Sequence, residues 1–329
     1  MINVGFFIRH FTERGTEVAI YDYAKYNEDI LFNKSYIICF NYLQQKKLGF
    51  PIERISYNKF NLKFKIIEIG DINEMEYIIK KYNLSFFYTL TYGIRDIYQF
   101  ENKNIWGNCK TIKHCVFDTS YPESDFYISI SKTICKNKNT IVIPHIVSLP
   151  NCDENLRNDL KIPQDSIVFG RYGGFSEFNL LMTHDAIIEF LKLNDNTYFL
   201  FMNTDKFYIH PKIIYLDLNL DLIYKVKFIN TCDAMIHARF DGETFGLSIA
   251  EFSIKNKPII TCPCGHLAHI NILNNKAILY NSKEELVNIF LIFLNYLNFL
   301  SIKNNDWNAY KLYTPEYVMN LFKELIFLK

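Results

Sequence analysis

The sequence predicts an α/β protein built from two doubly wound domains in tandem. Two observations carry this: short apolar runs alternate with helix-period segments along most of the chain, and the alternation lapses once, near the middle, before starting again. A third agrees with them, because 329 residues at 49% hydrophobic content supply two cores of ordinary size without disulfide or metal staples.

In the first half, strands are expected near 3–8, 36–40, 65–69, 85–90, 111–117, 126–130 and 140–143. Thr16 can cap a helix over 17–31, and Ile72, Met75, Ile78 and Ile79 mark the apolar face of another over 72–82. From Pro144 to Pro163 the pattern gives way to a polar stretch bounded by prolines, which is the expected linker. The alternation resumes with strands at 166–170, 198–203, 213–216, 234–238, 258–261 and 277–280, and helices over 177–193, 220–231, 245–255 and 283–300. Thr314 followed by Pro315 opens a closing amphipathic helix that reaches Leu328. The expected domains are therefore 1–148 and 149–312, both Rossmann-like, with 313–329 a closing helix able to pack back on the first. Sheets of this kind bind ligands beyond the carboxyl ends of their strands, so the chemistry is expected in a cleft between the domains.

Composition excludes several classes. A net charge of +1 gives no whole-molecule field for nucleic acid or an anionic membrane, so any anion site must be local. Aromatic residues are abundant, but they lie on strands and helix faces without interleaved basic clusters, which argues against a nucleic-acid groove. The eight cysteines are scattered, several inside apolar runs, as free thiols in a reducing compartment would be. The N-terminus has neither a basic leader nor a small-residue cleavage site, and the apolar stretch from Leu286 to Ile302 is interrupted by Asn288, Asn295 and Asn298. The expectation is a cytoplasmic protein with no signal peptide and no transmembrane segment.

The residues with the most chemistry lie after the expected strand 234–238. There Arg239, Asp241, Gly242 and Glu243 lead into a helix, and the glycines Gly242 and Gly246 let the amides of Phe245, Gly246 and Leu247 point at an anion, with the helix dipole adding to them. That describes a diphosphate seat. Glu243 stands at its mouth and Glu251 about two helical turns further in, so two carboxylates can hold two hydroxyl-bearing parts of one ligand.

The run Glu243, Thr244, Phe245, Gly246, Leu247 to Glu251, with Lys257, Pro258, Ile259 and Ile260 after it, resembles the E-x7-E signature of retaining GT-B glycosyltransferases, in particular glycosyltransferase family 4. The match covers about a tenth of the chain strongly, and the two-domain order covers nearly all of it weakly. The resemblance implies that Glu251 holds the ribose hydroxyls of a nucleotide, that Glu243 contacts the donor sugar, and that the amides of Phe245 to Leu247 meet the diphosphate or the sugar. It also implies that Arg171, at the end of the first strand of the second domain, neutralises the leaving diphosphate. The lysine that accompanies this arginine in the family is missing, and Ser176 stands in its place. Either an anion nest of Gly173 and Gly174 or the side chain of Arg239 would have to replace it. The loop from Ile8 to Glu17 takes the place of the family's glycine-rich loop, of which only Gly15 remains. His114 matches a position at which the family often sets a histidine facing the transferred sugar, and it reads equally well as a satisfied core residue.

Cys262, Cys264, His266 and His269 invite a zinc reading, but Cys-x-Cys is tighter than structural zinc spacing, and the segment reads better as a loop near the nucleotide base. Neither a P-loop, nor G-x-G-x-x-G after the first strand, nor G-x-S-x-G, nor an Asp-x-Asp metal motif is present. The expected activity is transfer of a monosaccharide from a nucleoside-diphosphate sugar, a co-substrate, to a glycan, protein or lipid acceptor, with no metal and no other cofactor. Two rivals keep the fold: a sugar-nucleotide epimerase, and a non-catalytic sugar-nucleotide or glycan-binding protein.

Overall fold

The computed structural model describes residues 1–12, 15–50 and 52–329; Glu13 and Arg14 of the expected loop after the first strand lie outside the described residues. The chain divides into two compact units, Met1–Ile146 with Tyr313–Lys329, and Val147–Leu312.

The first unit runs β1 (Asn3–Phe7), α1 (Gly15–Asp29), β2 (Lys34–Phe40), α2 (Tyr42–Leu48), α3 (Arg54–Lys63), β3 (Lys65–Ile69), α4 (Met75–Tyr82), β4 (Phe86–Thr91), α5 (Lys103–Trp106), β5 (Lys110–Cys115), β6 (Phe126–Ser129) and β7 (Ile141–Val142). All its strands pair in parallel, in the order β3-β2-β1-β4-β5-β6-β7. The chain works outward from β1 to β3, then returns to the other side of β1 to place β4. Strand order therefore reverses between β1 and β4. Central strands of such a sheet are covered on both faces, which is why β1, β2 and β4 read as nearly unbroken apolar runs. One face packs an aromatic cluster of Phe7, Phe87, Tyr98, Phe100 and Trp106, with Phe87 and Trp106 4.6 Å apart between ring centres. Each such ring contributes about 1.5–3 kcal/mol by burial. Thr314 caps the closing helix Pro315–Phe322 by accepting from the Tyr317 amide, and Phe322 then packs on Tyr23 and Tyr88.

The second unit runs β8 (Ile167–Tyr172), α6 (Leu181–Leu191), β9 (Thr197–Met202), β10 (Ile213–Leu216), α7 (Leu222–Thr231), β11 (Ala234–His237), β12 (Gly242–Glu243), α8 (Leu247–Ile254), β13 (Ile259–Thr261), β14 (His266–Leu267), α9 (Ala268–Leu273), β15 (Ala277–Leu279) and α10 (Lys283–Leu294). Its six-stranded parallel sheet has the order β10-β9-β8-β11-β13-β15, the same winding, with the reversal between β8 and β11. The two-residue strands β12 and β14 pair apart from it. Phe169, Phe190, Phe199, Phe290 and Phe293 form the centre of this core.

Several boundaries differ from the expectation for local reasons. The helix expected over 245–255 starts at Leu247, because Gly246 takes a left-handed φ of 83° and ends the preceding loop there. The helix expected over 283–300 is two helices, since Asn295 turns its side chain to cap the second by accepting from the Asn298 amide. The strand expected over 111–117 ends at Cys115. All eight cysteines are free, and among the described residues no helix is long and apolar enough to cross a membrane.

Candidate functional site

The reversal between β8 and β11 brings the expected residues of the second unit together. β8 ends in Arg171 and Tyr172, whose side chains leave on opposite faces of the strand. β11 ends in His237, and the loop beyond it carries Arg239 and Glu243.

Glu243 is held by its own loop. Gly242 has a φ of 62°, and a Cβ there would come within 2.1 Å of the Cys264 carbonyl oxygen, so only glycine fits where this loop crosses the one from Cys262 to His266. The amide of His266 donates to the Asp241 carbonyl at 2.7 Å, and β12 pairs with β14. The segment set aside as a zinc motif is thus the brace for Glu243. Among the described residues no group of three or more His, Cys, Asp or Glu side chains is arranged to hold a metal ion.

Around the Glu243 carboxylate runs a buried chain of polar groups. Its Oε1 lies 3.3 Å from His237 Nε2, His237 Nδ1 lies 2.9 Å from Thr261 Oγ1, and Thr261 Oγ1 lies 3.2 Å from His269 Nε2. The carboxylate requires a hydrogen on His237 Nε2. With His237 neutral, the single hydrogen of the Thr261 hydroxyl goes to His237 Nδ1, and His269 must donate through Nε2. That leaves His269 Nδ1 bare, and this buried atom indeed has no partner among the described residues. Burial, with His237 beside it, pushes the His269 imidazole down to about 3, which suits a ring that stays neutral. Burial alone would raise the Glu243 carboxyl, but the hydrogen bond from His237 and the positive charge of Arg239 outweigh it and hold the group below its usual value. Glu243 is therefore an ionised, fixed carboxylate.

Arg239 bridges two carboxylates, Glu243 Oε2 at 3.3 Å and Glu177 Oε1 at 3.1 Å, and its buried Nε donor has no partner among the described residues. The side chain of Arg171 is more fully committed than expected. It is 5% exposed, and it donates to Thr204 Oγ1 at 2.6 Å, the Asn203 carbonyl at 3.2 Å and the Gly174 carbonyl at 2.8 Å. Burial pulls its guanidinium down to about 10, against the opposing pull of Glu177 and Glu243. Its hydrogen bonds to protein oxygens fix the loop after β8, and a contribution to a bound anion would come through its charge.

Gly173 and Gly174 do not form the anion nest considered as a substitute for the missing lysine. A nest needs a residue with positive φ, and neither glycine has one. Their carbonyls face inward instead, to Asn203 Nδ2 and to Arg171.

On the other side of β8, Glu251 accepts from Lys225 Nζ at 2.9 Å and from the hydroxyl of Tyr172. Each oxygen keeps a lone pair for a further donor. Between the two glutamates, α8 begins at Leu247 with no side chain capping it, so its first-turn amides have no side-chain acceptor among the described residues. Phe245 is buried and its carbonyl accepts from Tyr310 at 2.7 Å; it serves the loop's fold, while Gly246 and Leu247 mark the open helix end.

His114 belongs elsewhere. It is wholly buried in the first unit, with Nδ1 2.8 Å from the Tyr88 hydroxyl and Nε2 2.9 Å from the Ile143 carbonyl. Both ring nitrogens are used by the protein, and burial with neighbouring His145 pushes the ring down to about 3. The reading of His114 as facing a sugar is corrected to that of a satisfied core histidine.

Lys225, His237, Thr261 and Glu177 join the site without having been singled out from the sequence, and His269, named there only in the zinc reading, joins it through Thr261. His237 had a signal, as the last residue of a strand beside a functional loop. Lys225 had none, being brought to Glu251 only by the packing of α7.

The sequence matches no protein-family model and no curated protein. Solved structures do resemble it. A glycosyltransferase from Rickettsia africae aligns at 17% identity and a TM-score of 0.71, over 98% of this chain and 97% of that one. Anabaena Alr3699/HepE in complex with UDP-glucose aligns at 13% identity and 0.72, over 100% and 99%. Sucrose-phosphate synthase from Thermosynechococcus elongatus aligns at 12% and 0.69, over the whole of both chains. A protein assigned as a UDP-N-acetylglucosamine 2-epimerase in Listeria monocytogenes aligns less well, at 13% and 0.57, over 97% and 94%. These likenesses establish the fold: the chain has the GT-B architecture of two Rossmann-like units.

Proposed function

We propose that the protein is a glycosyltransferase that moves a monosaccharide from a nucleoside-diphosphate sugar to a glycan, protein or lipid acceptor. The observation that carries this reading is the single segment 243–251, in which an ionised carboxylate, an uncapped helix end and a second carboxylate follow one another in the order sugar, diphosphate and ribose would need. Glu243 would contact the sugar and Glu251 the ribose, while the amides at Gly246 and Leu247, with the charges of Arg239 and Arg171, would stabilise the departing diphosphate. The UDP-glucose bound to the HepE protein makes UDP-sugars the first donors to test.

The resemblance of this segment implies retention of the anomeric configuration, and the chemistry as drawn uses no metal. A thermal-shift screen with UDP-, GDP- and ADP-sugars should raise the melting temperature for one nucleotide class. With that donor, a new glycoside of retained anomer should form in the presence of EDTA. Loss of activity in EDTA that manganese restores would overturn metal independence. The likeness to an epimerase favours one second reading, which an isomerised donor without a new glycoside would support.

A further inference from the structure

The second unit ends in an irregular segment, residues 304–312, that is stitched along α8. Asn256, just past the end of α8, donates through Nδ2 to the Asn305 carbonyl at 3.0 Å and accepts from the Trp307 amide at 2.8 Å. Ser253, on α8 and fully buried, donates through Oγ to the Trp307 carbonyl at 2.9 Å and accepts from the Ala309 amide at 2.9 Å. The next residue, Tyr310, is also fully buried, and its hydroxyl donates at 2.7 Å to the carbonyl of Phe245, before the start of α8. The two rings meet edge-on, 5.5 Å apart between centres.

That carbonyl belongs to the same peptide unit as the amide of Gly246. The peptide is trans, so its C=O and N–H point in opposite directions. Tyr310 grips the carbonyl from within the core, and the Gly246 N–H is thereby turned the other way. Gly246 is buried, and its N–H finds no acceptor among the described residues. Buried backbone donors without an acceptor are rare, and each asks for a ligand, an ion or a water. Gly246 lies between Glu243 and Glu251, in the turn read above as the seat of the diphosphate. The bond from Tyr310 also polarises the amide, which makes its N–H a stronger donor.

We propose that Tyr310 is a positioning residue for the donor: it fixes the plane of the Phe245–Gly246 peptide, so that the Gly246 amide meets a phosphate oxygen of the nucleoside diphosphate. This rests on the transferase reading above. Tyr310 acts through the peptide and not on the ligand. Ser253 in turn sets the place of Tyr310 through its bonds to Trp307 and Ala309. The residue that orients the amide thus comes from 65 positions further along the chain.

The test is binding, read on the full chain by calorimetry. UDP, GDP and ADP are titrated first, and the tightest is taken forward with its nucleoside, whose affinity is read by displacement of the diphosphate. Tyr310→Phe keeps the ring against Phe245 and removes only the hydroxyl. Its affinity for the nucleoside diphosphate should fall about fivefold or more, the scale of one hydrogen bond, while its affinity for the nucleoside is unchanged. A purely structural role would lower both affinities together. Ser253→Ala, which frees the segment from α8 without touching the peptide, should show the same pattern to a smaller degree, and it takes over the test if Tyr310→Phe does not fold. Equal losses for diphosphate and nucleoside, or an unchanged affinity for the diphosphate, overturn the proposal and leave the transferase reading standing. A wild-type chain that binds none of the three diphosphates removes the transferase reading and this proposal with it.

Discussion

Two strand histidines, one in each unit, show how the same residue type serves opposite ends. His114 lies inside β5, and both its ring nitrogens are spent on Tyr88 and the Ile143 carbonyl. His237 is the last residue of β11; it spends one nitrogen on Thr261 and turns the other to Glu243, on the loop beyond the strand. A buried polar group whose every valence is met by the protein holds the fold, whereas one that passes a hydrogen bond outward fixes a group left free for a ligand. Depth along the strand does not separate them, since His114 is the penultimate residue of β5 and His237 the last of β11. What differs is the partner of Nε2: a backbone carbonyl for His114, and for His237 a carboxylate on the loop beyond the strand.

Arg171 tests that contrast most severely, because the family resemblance puts it with the ligand and its bonds put it with His114. Arg171→Ala leaves the carbonyls of Asn203 and Gly174 without this donor, at about 1–3 kcal/mol each where water does not replace it. At about 2–4 °C per kcal/mol, the melting temperature should fall by about 4 °C to more than 10 °C. Arg239→Ala, which removes two partly exposed ion pairs, should cost about 1 kcal/mol or less. If Arg171→Ala melts like wild type while turnover collapses, Arg171 sorts with Glu243 after all.

The two glutamates sharpen the contrast within the second unit. Glu243→Gln should depress kcat by about a hundredfold, as for a group serving charge that develops in the transition state, and leave affinity for the free nucleoside diphosphate intact. Glu251→Gln should instead raise the donor KM with kcat little changed, a loss of about 1.5–3 kcal/mol of binding. Donor kinetics beside calorimetry of both variants separates the roles. Loss of nucleotide binding in the Glu243 variant alone would reverse them.

What the sequence made legible follows the same division. Periodicity located both sheets and the segment from Glu243 to Glu251, because apolar runs and glycine positions are local properties. Glu243 has near neighbours for partners, His237 and Arg239, but the partner of Glu251 and the groups behind His237 are not local. Lys225 lies 26 positions before Glu251, and Thr261 and His269 come from β13 and α9, so only the packed sheet could bring them together. His114 sat in a run that fits both core and site, and only the positions of Tyr88 and Ile143 distinguish the two. The Cys262 to His266 segment was conspicuous for its ligand-type residues, yet its part is backbone pairing with the Glu243 loop, which residue type does not encode.

The smallest expected effect is the most direct check on His114. Nε2 faces a carbonyl, so it must carry the hydrogen, and Nδ1 must accept from the Tyr88 hydroxyl; the ring is neutral by geometry as well as by burial. Its folded value of about 3 lies below the unfolded value of about 6.5, so between these the unfolded chain binds a proton that the folded chain refuses. Stability is therefore full above about pH 6.5 and declines as pH falls towards 3, by at most about 1.4 kcal/mol per pH unit for this one group. His145, pushed by burial to about 4, and His269, at about 3, act in the same direction. His114→Gln can keep both hydrogen bonds, its amide nitrogen donating to Ile143 and its oxygen accepting from Tyr88, but has no proton to gain. Denaturant unfolding from pH 7.5 down to 4.5 should show the variant losing less stability than wild type by up to one proton's worth of slope, with kcat at pH 7.5 unchanged. Equal slopes together with a fall in kcat would return His114 to the reactive site.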